Sequence, residues 1–252
     1  MNNMKIQIVS DLHIERYDNV KAFDVIKPHA EILVMAGDIG SMYRIRQLYR
    51  FLTDVCSLFK VVIYVPGNHE YYRIPKLPPR PFSHLEKSML RFAAQFPNFF
   101  YLSRNSMVIE GDDNRRYQFI GATLWSKSEH VPGKIVRIDN FDTERYNSSH
   151  ELDKKFIKDE LAFANNNGLV PVVITHYPPL NECLAPNRKN DKFVSLYVND
   201  LEDLVVQSTI WIYGHTHYNT DRKVGNCRVI SNQLGKKKDN IQDFSEACVV
   251  KI

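Results

Sequence analysis

Short apolar runs recur along the chain, and turn-forming or polar residues follow each of them closely. These runs, rich in β-branched side chains, cover residues 5–9, 31–36, 60–65, 169–175 and 208–213. Runs of this length without polar alternation are typical of strands that are buried on both faces. Gly, Pro, Asp or Asn follows each run, as expected where a strand ends. We therefore predict five buried strands in a layered α/β fold.

Between these runs, apolar residues spaced three and four apart predict helices with one buried face. The clearest helix covers 43–59, and three more are expected at 83–95, 151–167 and 199–207. Ser83 is expected to cap the second of them, with Glu86 completing a capping box. The run of Asn residues before Gly168 is a typical stop for the third.

The middle and the end of the chain contain shorter strand-like segments. Residues 107–110 and 117–120 flank a polar stretch and predict a hairpin, and two more short strands are expected at 226–231 and 247–252. The sequence contains no internal repeat and no flexible linker, and the proline-rich stretch 75–81 is interpreted as a stiff surface loop. We therefore predict a single domain over 1–252.

Composition places the chain among ordinary soluble globular proteins. Of its 252 residues, 44% are hydrophobic and 25% are charged, and its net charge of +4 is compatible with an acidic substrate. The four cysteines are far apart and form no C-x-x-C pair, which favours a reducing compartment. No apolar run reaches the length of a membrane span or of a signal-peptide core. We therefore expect a cytoplasmic protein without a membrane partner.

Polar residues that can bind metals follow all five predicted strands. They lie in the blocks Asp11-Leu12-His13, Gly37-Asp38, Gly67-Asn68-His69-Glu70, Thr175-His176 and Gly214-His215-Thr216-His217. The ends of such strands meet at one edge of a sheet, where open α/β folds place their ligand sites. Any one of these residues could be a turn former or a satisfied core group, but their recurrence after every strand predicts a shared site.

The residue types in these blocks indicate a metal site. Carboxylates, imidazoles and an amide oxygen suit Mn²⁺, Fe, Zn²⁺ or Ni²⁺, and the absence of thiolates argues against structural zinc. We favour Mn²⁺. Asp11 and His13 are two residues apart, as are His215 and His217, so in extended backbone each pair projects to one side and can reach one metal centre. Asp38, in the central loop, is the candidate to bridge two ions about 3.5–4 Å apart.

The charge of such a centre predicts a phosphate substrate. Two divalent cations outweigh the only anionic candidate ligands, Asp11 and Asp38, so the centre stays positive even with a bridging hydroxide. A positive centre attracts phosphate and stabilises the charge that develops on its oxygens. The ions also acidify a bridging water molecule, which supplies a nucleophile near neutral pH. Hydrolysis of a phosphate ester is the predicted reaction.

The five blocks, in this order from residue 11 to residue 217, resemble the signature of the calcineurin-like metallophosphoesterase superfamily. This resemblance implies a four-layer α-β-β-α sandwich, in which two mixed sheets are flanked by helices. It also implies that Asp11, His13 and His217 hold the first metal and that Asp38 bridges. Asn68, His176 and His215 would complete the second metal site. His69 would face the substrate and either protonate the leaving oxygen or stabilise the phosphate.

One stretch departs from a subgroup of this family. The protein Ser/Thr phosphatases carry a G-D-x-V-D-R-G pattern, whereas this chain reads Gly37-Asp38-Ile39-Gly40-Ser41-Met42-Tyr43-Arg44. The missing Asp-Arg pair makes a phosphoprotein substrate less expected. Arg44 or Arg46 would then either bind phosphate or form a solvated helix face.

Substrate contacts are expected from segments outside the ligand blocks. Tyr71, Tyr72 and Arg73 follow Asn68 and His69 directly, and at least one of the three is expected to contact substrate along with that pair. The basic and aromatic stretch 125–146 is either a cap that binds a nucleotide or another phosphorylated group, or a loop packed on its own domain. The lysine run 236–238 is either a solvated turn or a nucleic-acid contact.

The leading hypothesis is a phosphodiesterase or phosphomonoesterase that acts on a small phosphorylated metabolite or nucleotide. A nuclease is an alternative that is not favoured, because the chain leaves little room for a DNA-binding extension. A catalytically silent protein-binding scaffold is a third hypothesis. The presence of every candidate ligand and of His69 argues against this scaffold.

Overall fold

Eleven strands form two sheets in residues 4–252, the part of the chain that the computed structural model describes. The strands of the first sheet are β1 (Lys5–Val9), β2 (Ile32–Ala36), β3 (Val61–Val65), β4 (Phe99–Tyr101) and β11 (Val249–Lys251). Their order across this sheet is β11-β1-β2-β3-β4. Strands β1 to β4 are parallel, and β11 pairs with β1 in the antiparallel direction.

The second sheet is also mixed. Its strands are β5 (Asn105–Glu110), β6 (Arg116–Ala122), β7 (Val170–Thr175), β8 (Ile210–Tyr213), β9 (Asp221–Val224) and β10 (Cys227–Ser231). They lie in the order β5-β6-β7-β8-β10-β9. The four central strands are parallel, and the edge strands β5 and β9 are antiparallel to their neighbours. The predicted hairpin is confirmed as β5 and β6.

The helices cover the outer faces of the two sheets. They are α1 (Ala22–Val25), α2 (Ile45–Leu58), α3 (Phe82–Ala93), α4 (Thr143–Asn166) and α5 (Glu202–Val205). Apolar residues of α2 and α3 pack on the first sheet, and those of α4 and α5 pack on the second. No helix in residues 4–252 combines the length and the apolar character needed to cross a membrane.

Successive side chains along the central strands point to opposite faces of their sheet, and this alternation produces the layers. In β2, Val34 points into the core between the sheets, whereas its neighbours Leu33 and Met35 pack toward the helices. In β8, Ile212 points between the sheets and Trp211 packs toward α4 and α5. Strands with two apolar faces are what the continuous runs predicted. The expected four-layer α-β-β-α sandwich of two mixed sheets is therefore confirmed.

The predicted capping of α3 was wrong. Helix α3 begins at Phe82 and its N-cap is Pro81, so Ser83 does not cap it. The carboxylate of Glu86 instead accepts hydrogen bonds from the hydroxyls of Tyr101, at 2.8 Å, and of Tyr71. This pairing draws Glu86 toward buried phenols rather than back to the helix terminus, so the capping box does not form.

Helix α4 is longer than predicted, and α5 is shorter. Asp142 caps α4 by accepting a hydrogen bond of 2.9 Å from the backbone N–H of Arg145, so the helix begins at Thr143 rather than at residue 151. The last four residues of the segment 125–146 are therefore its first turn. Residues 199–201 and 206–207 lie outside α5, which covers only Glu202–Val205 of the predicted 199–207.

Candidate metal centre

The candidate ligands lie in the loops that follow β1, β2, β3, β7 and β8. Backbone hydrogen bonds hold these loops together. The N–H of Asp11 donates to the carbonyl of Gly37 at 3.0 Å, and the N–H of His13 donates to that of Asp38 at 2.9 Å. In the second sheet, the N–H of Gly214 donates to the carbonyl of His176 at 3.0 Å. The carboxyl ends of the strands therefore converge on one edge of the sandwich, as expected.

Several candidate ligands have left-handed backbone conformations. The residues with positive φ in this group are Asp11 (54°), His13 (48°), Asp38 (53°), His215 (76°) and His217 (51°). The expectation that extended backbone brings the members of each pair together was therefore wrong. Non-glycine residues in this region carry strain of about 1–3 kcal/mol each and are frequent at functional sites. The surrounding loops hold these side chains in orientations that a regular strand end would not give.

Two glycines allow the loops to approach so closely. A Cβ on Gly67 would lie 2.3 Å from Oδ1 of Asp38, and a Cβ on Gly37 would lie 2.4 Å from Nδ1 of His176. Gly37 also has a φ of 84°. Any side chain at either position would therefore displace Asp38 or His176.

The first ligand group consists of Asp11, His13 and His217. The Nε2 atoms of His13 and His217 are 3.1 Å apart, and Nε2 of His217 lies 3.2 Å from Oδ1 of Asp11. The Nδ1 atoms face carboxylates: that of His13 is 3.2 Å from Glu15, and that of His217 is 2.5 Å from Asp239. Because each Nδ1–H donates to a carboxylate, each neutral imidazole presents a lone pair on Nε2. The first group therefore consists of acceptors that face one another.

The second ligand group consists of Asp38, Asn68, His176 and His215. Nε2 of His176 lies 2.9 Å from Oδ1 of Asn68, 3.3 Å from Oδ1 of Asp38 and 3.2 Å from Nδ1 of His215. The other ring nitrogens face backbone carbonyls, Nδ1 of His176 at 2.9 Å from Ala36 and Nε2 of His215 at 3.3 Å from Leu196. When the rings are neutral, donation to these carbonyls again leaves lone pairs directed at the centre of the group.

Both groups suit a cation, because lone pairs that face one another are unfavourable unless a positive charge lies between them. Asp38 is common to both. Its Oδ1 is 3.3 Å from Nε2 of His176, and its Oδ2 is 3.9 Å from Nε2 of His13. The two oxygens of this carboxylate therefore face the two groups, one oxygen toward each. The donor set of imidazoles, carboxylates and an amide fits divalent transition metals.

The electrostatics of the buried carboxylates agree with this donor set. Burial alone would raise the pKa of Asp38, but the charges of His176 and His69 hold it well below its usual range. Burial likewise opposes ionisation of Asp11, yet the hydrogen bond with His217 lowers its pKa to about 2. Burial lowers the pKa of His176, but Asp38 raises it to about 9. Asp11 and Asp38 are therefore ionised, and their negative charge favours a cation between the donors.

His69 lies beside both groups. Its backbone N–H donates to Oδ1 of Asp38 at 2.7 Å, and its Nδ1 lies 3.4 Å from Oε1 of Glu15. Its ring is 4.5 Å from that of His13 and 4.7 Å from that of Tyr72, measured between centroids. The ring of His69 is therefore held at the edge of the centre, next to the ligands.

The three residues after this block have different surroundings. Tyr71 is 1% exposed and its hydroxyl faces Glu86, so its position is that of a packing residue. Tyr72 packs against His69, and Arg73 is exposed, 3.5 Å from a carboxylate oxygen of Asp139. Of the three, Tyr72 therefore lies directly against the ring of His69.

Comparison with known proteins identifies the family. Residues 4–219 match the model of the calcineurin-like phosphoesterases. The chain belongs to this family. The resemblance that the sequence carries is therefore confirmed.

Similar proteins span nearly the whole chain. An uncharacterized protein of Acanthamoeba polyphaga mimivirus, L509, is 30% identical in an alignment that covers 91% of this chain and 90% of that protein. A phosphopantetheinyl hydrolase from Mycobacterium tuberculosis is 15% identical, with a TM-score of 0.71 over 99% of this chain and 96% of the other. A dimetal phosphatase from Danio rerio is 14% identical, with a TM-score of 0.53 over 92% and 87%. The two structures show that the fold is shared.

The sequence did not predict the carboxylates that surround the candidate ligands of this calcineurin-like phosphoesterase. Glu15 faces both His13 and His69, and these hydrogen bonds lower its pKa to about 2 although burial opposes ionisation. Its position two residues after His13 was a signal that could have been read. Asp239 lies 22 residues after His217 in a polar segment and had no such signal. Glu70 accepts from the backbone N–H groups of Asp38 and Gly67 at 3.0 and 2.8 Å, and so joins two ligand loops.

Proposed function

We propose that this protein is a binuclear metal-dependent phosphoesterase that hydrolyses a phosphodiester or another small phosphorylated metabolite or nucleotide. The observation that carries this proposal is that acceptor atoms face one another within two ligand groups and that Asp38 faces both groups. Asp11, His13 and His217 would hold one ion, and Asn68, His176 and His215 the other. Bound there, two divalent ions would acidify a water molecule and offset the charge of the phosphate. Mn²⁺ is the favoured metal, and Fe, Zn²⁺ and Ni²⁺ suit the same donors.

His69 is the candidate acid in this proposal. Its ring lies against His13, and Glu15 orients it through Nδ1 at 3.4 Å. A hydrogen bond from Nδ1 to Glu15 leaves Nε2 as the nitrogen that can face substrate. From there it would donate a proton to the leaving oxygen or a hydrogen bond to the phosphate.

Residues beside His69 support a role for the segment 125–146 as a cap. The Arg137 guanidinium lies 5.2 Å from the ring centroid of Tyr72. The ring of Tyr72 also packs against the ring of His69. The N–H of Arg73 donates to the carbonyl of Arg137 at 2.7 Å, which ties the cap to the loop after the candidate acid. Arg137 and Tyr72 would bind the part of the substrate that leaves.

The test is hydrolysis of bis-p-nitrophenyl phosphate and p-nitrophenyl phosphate by chelator-stripped protein, with and without added Mn²⁺. Turnover that depends on the metal is expected, and the ratio of the two rates shows whether diesters or monoesters are preferred. Absence of turnover with both substrates, in protein shown to bind Mn²⁺, would contradict the proposal for simple esters. Cleavage of a labelled oligonucleotide at a higher rate than either ester would favour the nuclease alternative.

A further inference from the structure

The three lysines of the run 236–238 differ in their exposure to solvent. Lys237 and Lys238 are exposed, whereas Lys236 is partly buried. Lys236 is partly buried because the two residues before it are hydrogen-bonded to the loop after β1. The N–H of Leu234 donates to the carbonyl of Ser10 at 3.1 Å, and the N–H of Gly235 donates to that of Asp11 at 3.0 Å. Lys236 therefore directly follows a residue, Gly235, that is hydrogen-bonded to the candidate ligand Asp11.

Asp239 attaches the same turn to the centre a second time. Its Oδ2 accepts a hydrogen bond of 2.9 Å from the N–H of Lys236 and lies 2.5 Å from Nδ1 of His217. A Cβ on Gly235 would lie 3.3 Å from the side chain of His217, so the chain passes close to that ring. These contacts fix the backbone of Lys236 beside the first ligand group.

The ammonium group of Lys236 is free of protein partners. Among residues 4–252 it makes no ion pair within 4.0 Å and no hydrogen bond, although its backbone is well fixed. Burial lowers its pKa, while the carboxylates of Asp38 and Asp11 raise it. The contacts of Gly235 and Asp239 thus place this unpaired ammonium on a turn that is fixed beside Asp11 and His217.

A second cation lies beside Glu15, next to the first ligand group. Nε of Arg16 is 3.9 Å from Oε1 of Glu15, the atom that also faces His13 and His69, and the side chain of Arg16 is 49% exposed. The charge of Arg16 also acts on Lys236. Two neighbouring cations repel each other, and an anion between them removes that cost while satisfying their N–H donors.

We propose that Lys236 and Arg16 form a subsite that binds the non-bridging oxygens of the phosphate group during hydrolysis. This inference rests on the proposed phosphoesterase function and adds two binding residues to it. Lys236 supplies a compact point charge, and Arg16 supplies guanidinium N–H donors. Both would neutralise charge on the phosphate from beside the first ligand group, in addition to the ions.

Kinetics of Mn²⁺-loaded variants provide the main test, with Lys237→Ala as the matched control from the same turn. Loss of a hydrogen bond to a charged group corresponds to roughly ten- to hundredfold in binding, so Lys236→Ala is expected to raise KM for p-nitrophenyl phosphate by that factor. Arg16→Ala is expected to act in the same direction. Lys236→Arg should recover most of the loss, and Lys237→Ala should match the unmodified protein. Metal content should be the same in all four.

Calorimetric titration with inorganic phosphate separates this inference from the proposed function. The Mn²⁺-loaded protein is expected to bind phosphate more tightly than its Lys236→Ala variant, even if no ester is turned over. Equal binding by the two proteins would overturn the subsite. Loss of metal from Lys236→Ala would also overturn it, because the lysine would then act by holding the turn. Oligonucleotide binding that depends on Lys237 and Lys238 rather than on Lys236 would assign the run to nucleic acid instead.

Discussion

The two ligand groups differ in the hydrogen-bond acceptors of their histidines. Each ring has one nitrogen directed away from its group, here called the outer nitrogen, and this nitrogen faces an acceptor. In the first group, the outer nitrogens of His13 and His217 face the carboxylates of Glu15 and Asp239. In the second group, those of His176 and His215 face backbone carbonyls. A carboxylate makes an imidazole a stronger ligand and adds negative charge, whereas a carbonyl mainly fixes the orientation of the ring.

This difference predicts that the two groups bind their metal ions with unequal affinities. The first group has its own ligand carboxylate, Asp11, together with Glu15 and Asp239 close behind, while the only carboxylate of the second is the shared Asp38. We therefore expect the ion of the first group to be bound more tightly. On stepwise addition of a chelator, the ion of the second group should leave first.

Asp38→Asn should have the largest effect, because it removes the one carboxylate that both groups share. The loss of a direct ligand is expected to exceed the roughly hundredfold upper limit for the loss of an outer partner. Both Mn²⁺ affinities, followed by calorimetry, should fall by more than this factor, and ester hydrolysis should fall with them. A variant that keeps two tightly bound ions would refute the bridging role.

His176→Ala should remove only one ion. This ring lies in the second group and makes no contact within the first, so the site of Asp11, His13 and His217 should stay filled. Metal analysis after desalting should give one Mn²⁺ per chain, with activity largely lost. If both ions disappeared together, the two groups would act as a single unit.

Asp239→Asn should have a smaller effect, restricted to the first group. Removal of a carboxylate behind a ligand typically costs 10–100-fold in metal affinity. We expect a loss of about this size for the tighter Mn²⁺ and little change for the weaker one. Asp243→Asn is the matched control, because Asp243 is exposed in the same segment and its carboxylate accepts a hydrogen bond from Asn219 instead of from a candidate ligand. A loss at the weaker site instead would reverse the comparison.

Leu196→Met should have the smallest effect on metal binding. The group behind His215 is the backbone carbonyl of Leu196, which the substitution retains. Exchange of two buried apolar side chains of similar volume costs less than about 1.5 kcal/mol of stability. Thermal unfolding should detect that cost, while both Mn²⁺ affinities stay unchanged. A marked loss at the second site would mean that the side chain, and not the carbonyl, supports His215.

The sequence predicted the elements in which local pattern and burial agree. Strand β1 has the predicted bounds, Lys5–Val9, and the other four predicted strands begin one or two residues later than expected. The first turns of α4 were missed because Thr143–Asn166 begins with a polar stretch whose only buried members are Tyr146 and His150. Helical periodicity is weak where so few apolar residues mark the buried face.

The ligand candidates could be found because motifs place them directly after strands. Their conformations could not, since the positive φ angles of residues such as Asp11 and His217 arise from hydrogen bonds between distant loops. The same applies to Asp239, whose contact with His217 depends on the path of the whole C-terminal segment. Partners behind the ligands follow no fixed spacing, so only the fold reveals them.

Anomalous diffraction from crystals grown with Mn²⁺ tests the binuclear centre most directly. The account predicts two peaks per chain about 3.5–4 Å apart, one among Asp11, His13 and His217 and one among Asn68, His176 and His215, with Asp38 between them. A single peak, or two peaks that Asp38 does not bridge, would contradict it.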